Sequence, residues 1–286
     1  MTYRVLAVYA HPDDESFGVG GTLAKFAAQG YQVVLACATR GEAGEISDPA
    51  LATPENLGQV REGELRASCR ALGIAEPRLL DYRDSGMVGT PDNDDPRSYH
   101  RADPETATRQ LVSMIRELKP HIVITFEPNG GYGHPDHIAV SKHVTAAFDA
   151  AGDAQAYPDA GAAWQPQRLY YGAIPRSFFV EMRDRLKAAG IDTSEMEQRL
   201  DQQRVWFEDE YITHVHDVSN TIDAKWASLN AHKTQFGPNN FFFRMPHELL
   251  RQGMQREFFQ QARPALTLPE DAPKLGDLLD GVKAGD

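Results

Sequence analysis

Two short polar segments of this chain combine histidines with carboxylates at spacings that suit metal chemistry. The first motif, residues 10–15, reads Ala-His-Pro-Asp-Asp-Glu, and the second motif, residues 130–137, reads Gly-Gly-Tyr-Gly-His-Pro-Asp-His. Together the two motifs supply three histidines, four carboxylates and one tyrosine. Catalytic zinc commonly takes two histidines and one carboxylate, with a fourth position left for water. The pair of motifs therefore predicts a catalytic site for a divalent metal.

The spacing within the motifs suggests how the residues divide their roles. His11 and Asp14 are three residues apart, so both side chains can turn toward one point as a helix begins. His137, at the start of the next predicted helix after the second motif, can complete a set of three ligands. A metal bound in this way would lower the pKa of its water and polarise a carbonyl. Asp13 is then placed to accept a proton, and His134 to stabilise an oxyanion or to protonate a leaving amine.

Each motif directly follows a predicted strand of an α/β fold. The apolar runs cover residues 5–9, 31–39, 78–82 and 122–126, and the helical patterns between and after them cover 18–29, 59–72, 105–118 and 135–151. Continuous apolar runs are typical of parallel strands that are covered on both faces, so this order predicts a Rossmann-like, doubly wound, mostly parallel sheet. Ligands bind at the carboxyl ends of such strands, so we expect the two motifs to face each other across a crevice.

The second half of the chain is less regular and is predicted to form a C-terminal extension of this fold. Strand patterns cover residues 168–173 and 211–218, and helical patterns cover 178–200, with a break near Gly190, and 220–234. We expect a single domain over residues 1–260. The remaining residues, 261–286, are expected to form a C-terminal tail. After Pro264 this tail is rich in Pro, Gly and charged side chains and is expected to be poorly ordered.

The composition restricts the partners of the protein. The chain has 286 residues and a formal net charge of −12, which argues against broad binding to nucleic acid or to an anionic membrane surface. No window approaches the ~20 apolar residues that a membrane span needs, and the first residues lack the pattern of a signal peptide. Cys37 and Cys69 are too few for a disulfide framework and are expected to be buried thiols. We therefore expect a cytoplasmic protein, and the sequence leaves open whether it forms a homo-oligomer.

The two motifs also carry a family resemblance. Ala-His-Pro-Asp-Asp-Glu at 10–15 with Gly-His-Pro-Asp-His at 133–137 resembles the LmbE/PIG-L superfamily of metal-dependent N-deacetylases. Arg-Asp-Ser-Gly-Met at 83–87 and Ala-His-Lys-Thr-Gln at 231–235 are similar to segments of its mycothiol-pathway deacetylases and mycothiol conjugate amidases. The bacillithiol-pathway deacetylase is a shorter relative. The similarity runs from residue 3 to about residue 260.

The resemblance implies a zinc-dependent hydrolase that removes the N-acetyl group from an N-acetylglucosaminyl compound, such as the precursor of a low-molecular-weight thiol. It implies Zn²⁺ ligands at His11, Asp14 and His137, with Fe²⁺ left open as the metal. Asp13 would be the general base, and His134 would assist the oxyanion or act as an acid. The alternative is a thiol S-conjugate amidase that cleaves a larger amide with the same metal site.

The resemblance also implies contacts with a small amino-sugar substrate. Tyr132 would contact the carbonyl oxygen as the tetrahedral intermediate forms. Arg66 and Asp84 would contact hydroxyls of the sugar ring. Glu45 would touch the sugar, although Glu42 in the same loop competes for that role.

Three further features of the sequence each allow two interpretations. Glu15 either favours a helix N-terminus through the helix dipole or supports a neighbouring ligand. His232 either lines the site from the C-terminal half or packs within a helix. The phenylalanine run at residues 241–243 either belongs to the core or an interface, or covers part of the substrate cleft.

Overall fold

A seven-stranded sheet forms the centre of the fold in the computed structural model, which describes residues 2–201, 207–237, 245–269 and 271–284. The strands are β1 (Arg4–Tyr9), β2 (Gln32–Cys37), β3 (Arg78–Leu79), β4 (Ile122–Phe126), β5 (Arg168–Ala173), β6 (His214–Asp217) and β7 (Arg256–Arg263). Their spatial order is β3-β2-β1-β4-β5-β7-β6. The strands from β3 to β5 are parallel, whereas β7 runs antiparallel to both β5 and β6. The predicted mostly parallel α/β sheet is therefore confirmed.

Helices cover the sheet and continue into the C-terminal half. They are α1 (Asp14–Gly18), α2 (Gly20–Ala28), α3 (Leu57–Leu72), α4 (Pro104–Leu118), α5 (Gly130–Gly133), α6 (Pro135–Ala151), α7 (Arg176–Ala188), α8 (Ser194–Asp201), α9 (Ile222–Ala231) and α10 (His247–Gly253). The helical pattern predicted over 178–200 forms two helices, because the chain turns at Gly190, which has a φ of 73°. Among the described helices, none has the length and apolar character needed to cross a membrane.

The side chains of β1 show why the sheet is buried on both faces. Leu6 and Val8 belong to the core cluster that includes side chains of α4 and α6. Val5 and Ala7 belong to the cluster that includes side chains of α2 and α3. Successive side chains of a strand point to opposite faces, so an apolar strand supplies both cores at once. Along β1, polar side chains are therefore confined to the ends of the strand.

The order of the strands places a switch point between β1 and β4. The chain leaves β1 for β2 and β3 on one side, whereas β4 pairs with the other edge of β1 and leads on to β5. Loops that leave the carboxyl ends of two such strands diverge and open a crevice. The first motif leaves β1 and the second motif leaves β4. The sheet thus brings together His11 and His137, which are 126 positions apart in the sequence.

The last residues of the chain pack against the rest of the protein, which differs from the predicted poorly ordered tail. Strand β7 continues through residue 261 to Arg263. Leu278, Leu279 and Val282 are buried in the same core cluster as β1, so apolar side chains hold this segment in place. The phenylalanine run at residues 241–243 lies outside the described residues.

A buried ion pair joins the C-terminal half to the start of α2. Lys225 Nζ donates to Glu257 Oε1 at 2.6 Å, and the same carboxylate accepts the backbone N–H groups of Gly21 and Thr22 at 2.8 Å each. The two charged side chains are only 2% and 1% exposed. Removing one partner of such a pair leaves an uncompensated charge away from water. The pair therefore fixes α9 and β7 against the first half of the fold.

Lys225→Met is expected to lower the free energy of unfolding by about 3 kcal/mol, because Glu257 loses its buried counter-charge. Urea unfolding followed by circular dichroism measures this change. Lys25→Met is the matched control, since Lys25 lies on α2 and its Nζ donates to the exposed backbone carbonyl of Asp217. A loss below ~1 kcal/mol for Lys225→Met, the size typical of an exposed pair, would contradict the prediction.

Candidate metal centre

The first motif forms a tight turn between β1 and α1. His11 is buried, and its backbone N–H donates to Asp14 Oδ2 at 2.7 Å. Asp13 stands at the N-cap of α1 with a φ of 124° and a ψ of −28°, a conformation that residues with a Cβ rarely adopt. Its carboxylate makes no capping hydrogen bond to the helix. The turn holds about 1–3 kcal/mol of backbone strain and directs the adjacent carboxylates of Asp13 and Asp14 to different partners.

The second motif begins with a glycine-rich loop that a buried carboxylate holds. Gly130, Gly131 and Gly133 have φ values of 66°, 70° and 87°. Glu127, directly after β4, accepts the backbone N–H groups of Asn129 and Gly131 at 2.6 Å each. Glu127 was not predicted to belong to the site. Its place directly after the apolar strand pattern at residues 122–126 could have identified it. This carboxylate fixes the loop that carries the tyrosine of the motif.

The remainder of the second motif is the N-terminus of α6. His134 is the N-cap residue, and its Nδ1 accepts the backbone N–H of Asp136 at 3.2 Å. Pro135 lies in the first helical turn, where its missing N–H leaves no helical hydrogen bond unmade. His137 follows at a buried position, 2% exposed. The local sequence therefore starts the helix and places both histidines beside the first motif.

The predicted ligands His11, Asp14 and His137 lie together. His11 Nδ1 is 3.1 Å from His137 Nε2, His137 Nε2 is 3.3 Å from Asp14 Oδ1, and His11 Nδ1 is 3.6 Å from Asp14 Oδ2. Donor atoms that each lie about 2.0–2.1 Å from a tetrahedral zinc are about 3.3 Å from one another. The spacing and the chemistry of these donors therefore fit a bound divalent metal.

The second ring nitrogens of the two histidines, His11 Nε2 and His137 Nδ1, also have polar partners. His11 Nε2 lies 3.3 Å from both Asp136 Oδ2 and Asp84 Oδ1, and His137 Nδ1 lies 3.1 Å from the carbonyl oxygen of Gly130. Metal-binding histidines ordinarily donate their second N–H to such oxygens, which fixes the tautomer. Burial acts to lower the pKa of His11, but the carboxylates of Asp84 and Asp136 raise it above its usual value. Metal binding at Nδ1 would therefore release a proton.

Asp136 supports His11, and it was not among the predicted site residues. Its side chain is fully buried, and its two oxygens accept the backbone N–H groups of His100 and Ser85 at 2.8 Å each. Asp136 also forms, with His11 and Asp84, a second buried group of donor atoms. Because its oxygens already accept backbone hydrogen bonds, we interpret Asp136 as the partner that orients His11. Asp136 stands between His134 and His137 in the sequence, and this position could have identified it as a site residue.

Asp13 lies against a buried arginine that sequence reasoning did not assign. Arg61 Nη2 donates to Asp13 Oδ2 at 3.2 Å and to the carbonyl of Pro12 at 2.6 Å, and Nη1 donates to the carbonyl of Gly41 at 2.8 Å. Burial raises the pKa of Asp13 to about 7, with Arg61 opposing this increase and Asp14 adding to it. A carboxylate with a pKa near neutrality is suited to accept and release a proton.

The structure brings Arg61 to this site and not Arg66, the arginine that was predicted to contact the sugar. Arg66 donates instead to Glu62 at 2.8 Å and to Glu76 at 2.6 Å. Two residues that are five positions apart on an α-helix point in directions about 140° apart. Arg61 and Leu65 are four positions apart on this helix, and both are buried. Arg66 therefore points away from the motif residues, and its contact with the sugar stays a prediction.

Asp84 lies beside the histidines and Glu42 contacts the backbone of Asp84, whereas the side chain of Glu45 is exposed. Asp84 is buried next to His11, and its backbone N–H donates to Glu42 Oε2 at 3.1 Å. Burial acts to raise the pKa of Asp84, but the charge of His11 lowers it well below its usual range. The side chain of Glu45 is exposed, and its backbone carbonyl accepts a hydrogen bond from Gln235 at 2.9 Å. Of the two competing glutamates, the structure therefore places Glu42 at the site.

Tyr132 stands at the open side of the site. Its ring is 63% exposed, and its centroid lies 5.1 Å from that of His137 and 6.1 Å from that of His134. The His134 ring in turn lies 4.5 Å from the ring of His11. The residues predicted to act on the substrate thus line the site from both motifs, with Asp13 on one side and Tyr132 and His134 on the other.

A set of histidine and carboxylate donors thus stands at the switch point of a mostly parallel α/β sheet. The family described as PIG-L, GlcNAc-PI de-N-acetylase, matches residues 6–148, and the chain belongs to this family. The predicted resemblance is confirmed, and the protein is an amide hydrolase of the N-acetylglucosaminyl deacetylase type.

Curated relatives extend the similarity over nearly the whole chain. The 1D-myo-inositol 2-acetamido-2-deoxy-alpha-D-glucopyranoside deacetylase of Acidothermus cellulolyticus is 39% identical, over 100% of this chain and 98% of the relative. The protein of the same name from Geodermatophilus obscurus is 38% identical, over 91% of this chain and 92% of the relative.

Solved structures share the fold. The N,N'-diacetylchitobiose deacetylase of Pyrococcus horikoshii superimposes with a TM-score of 0.65 at 18% identity, over 94% of this chain and 88% of the other. The 4-carboxy-2-hydroxymuconate hydratase of Pseudomonas putida superimposes with a TM-score of 0.59 at 18% identity, over 94% of this chain and 99% of the other. One of these neighbours is a hydratase, so the fold alone does not determine the reaction. The reaction has to be argued from the residues of the site.

Proposed function

We propose that this protein is a zinc-dependent deacetylase that hydrolyses the acetamide of a small N-acetylglucosaminyl compound. The inositol-linked compound in the names of its relatives is the first substrate to test. The observation that carries the proposal is the spacing of 3.1–3.6 Å among the donor atoms of His11, Asp14 and His137. Zinc is proposed because two imidazoles and one carboxylate are a common catalytic zinc set, and Fe²⁺ is the alternative metal.

The first motif supplies the proposed base. A metal held by His11, Asp14 and His137 would supply Lewis-acid chemistry to the scissile carbonyl and to water. Asp13 accepts the proton of the attacking water. With a pKa of about 7, the same carboxyl can return this proton to the leaving amine. Arg61 holds the carboxylate in position through its hydrogen bond to Oδ2.

The second motif supplies the proposed oxyanion donors. Because His134 Nδ1 accepts the backbone N–H of Asp136, we assign the ring proton to Nε2. Burial, together with the charges of His11 and His137, lowers the pKa of His134 to about 3, which favours a neutral ring. A neutral imidazole donates one hydrogen bond, so of the two roles considered for His134 we favour oxyanion stabilisation. Tyr132 is the second proposed donor to the carbonyl oxygen.

Asp84 and Glu42 are the proposed acceptors for the hydroxyls of the sugar. Carboxylates accept strong charge-assisted hydrogen bonds, Asp84 adjoins His11, and Glu42 adjoins the backbone of Asp84. A cytoplasmic location stays a prediction.

The proposal is tested by incubating the zinc-loaded protein with inositol-linked N-acetylglucosamine and measuring acetate and free amine. We expect equal amounts of both products, loss of turnover after chelation, and recovery when zinc is added back. A thiol S-conjugate is assayed in parallel. Cleavage of the conjugate without acetate release would favour the amidase alternative, whereas binding of either compound without turnover would contradict both.

Arg61→Met is expected to lower kcat by ~10²-fold, because Asp13 loses the side-chain donor that fixes its carboxylate. Arg66→Met is the matched control on the same helix and is expected to keep the wild-type kcat and KM. Steady-state kinetics at saturating zinc compare the two variants. A loss of activity in Arg66→Met but not in Arg61→Met would restore the original assignment of Arg66.

A further inference from the structure

A fully buried polar cluster adjoins Asp13 and has no part in the roles proposed above. Its members are Glu15 and Ser16 on α1, Ser68 on α3, Ser228 on α9, and His232 directly after α9. Glu15 Oε1 accepts hydrogen bonds from Ser16 Oγ at 2.8 Å, from Ser68 Oγ at 2.5 Å and from His232 Nε2 at 2.8 Å. A buried carboxylate is costly unless such donors compensate it. Three helices therefore meet around the single carboxylate of Glu15.

The second oxygen of this carboxylate holds the backbone of Asp13. Glu15 Oε2 accepts the Asp13 backbone N–H at 3.0 Å. A residue with a Cβ keeps a φ of 124° only where its surroundings hold it there. This conformation directs the Asp13 carboxylate to Arg61 and away from the adjacent Asp14. The hydrogen bond from the Asp13 backbone N–H to Glu15 therefore helps to hold the proposed base in this position.

His232 is the imidazole partner of Glu15, with its Nε2 at 2.8 Å from Oε1. Burial acts to lower the pKa of His232, but Glu15 raises it above its usual value. His232 Nε2 and the two serine hydroxyls all donate to Oε1 of Glu15. An ionised carboxylate accepts hydrogen bonds through both oxygens, which leaves Oε2 available for the Asp13 N–H.

We infer that Glu15 and His232 form a positioning pair that holds Asp13 in its strained conformation and so aims the proposed base at the reaction centre. This inference deepens the proposed function and rests on it. It joins the first motif to the Ala-His-Lys-Thr-Gln segment of the C-terminal half, whose role the sequence left open. Neither residue of the pair is assigned contact with substrate or metal.

Glu15→Ala tests the inference, with Glu15→Gln as the conservative variant that keeps one acceptor for the Asp13 N–H. We expect Glu15→Ala to lower kcat by ~10²-fold, with KM and bound zinc unchanged, and Glu15→Gln to recover most of the loss. A crystal structure of Glu15→Ala should show Asp13 at negative φ with its carboxylate away from Arg61. If Glu15→Ala does not fold, His232→Leu removes the donor to Glu15 and is measured by the same criteria.

Glu64→Ala is the matched control. Glu64 lies on α3, and its carboxylate accepts the backbone N–H and the hydroxyl of Thr234, so it ties the same C-terminal segment to α3. We expect this variant to lose stability but to keep kcat. Equal losses of kcat in the two alanine variants, or loss of zinc with Glu15→Ala, would overturn the inference. If the wild-type protein releases no acetate, the proposed function fails, whereas the conformation of Asp13 in the variant structure still decides the positioning role.

Discussion

Asp13→Asn is expected to lower kcat by ~10²–10⁴-fold while the protein keeps its metal. The amide retains the shape of the carboxylate and can still accept a hydrogen bond from Arg61, but it cannot take a proton from the attacking water. Asparagine tolerates positive φ at least as well as aspartate, so the backbone at this position should not change. Steady-state kinetics and metal analysis of the same preparation measure the effect.

Asp81→Asn is a matched control for this substitution. Asp81 also has a positive φ, 64°, and its carboxylate pairs with Arg40 at 2.8 Å, but it is not part of the cluster of motif residues. This variant should retain wild-type kcat. If Asp13→Asn kept full activity, proton transfer would have to belong to another group. If it lost metal together with activity, Asp13 would be a ligand and not the base.

His137→Gln is expected to abolish tight metal binding. Loss of one of three protein donors should lower the affinity by at least ~100-fold, since loss of even an outer partner of a ligand costs ~10–100-fold. Metal content is measured after dialysis against buffers of fixed free zinc concentration. Activity should fall in parallel and return only at high zinc.

His143→Gln provides the control on the same helix. His143 is buried on α6 and lies 3.1 Å from the hydroxyl of Tyr99, outside the proposed donor set. It should bind zinc like the wild-type protein. Wild-type affinity in His137→Gln would instead point to His134, which shares a buried group of donors with His11 and His137.

The part of the site that could be predicted from the sequence rests on short-range patterns. Each motif follows a continuous apolar run, and the carboxyl ends of parallel strands share one edge, so the meeting of His11 with His137 followed from strand order. Pro135 and the polar residues around it likewise mark a helix start. These inferences needed only local chemistry and the rule for ligand sites in doubly wound sheets.

What was missed depends on orientation or on contacts distant in sequence. Choosing between Arg61 and Arg66 required the exact rotation of α3, which the buried positions of the helix indicate but which family similarity obscured. The pairing of Glu15 with His232 spans 217 positions, and no local pattern reports it. Strand β7 was not predicted, because its polar and apolar residues alternate irregularly. Its place in the sheet is determined by antiparallel pairing with β5 and β6.

The pairing of β1 with β4 also has a consequence for how the protein acquires its metal. His11 and Asp14 emerge early during synthesis, but His137 joins them only after the intervening chain has closed a long loop. Such non-local contacts form late in folding, because the entropy of closure is lost before they contribute stability. Two donors near the N-terminus of an incomplete chain hold a divalent ion weakly compared with three in a finished sheet. Tight metal uptake during refolding should therefore follow sheet formation, and it can serve as a kinetic reporter of the completed native topology.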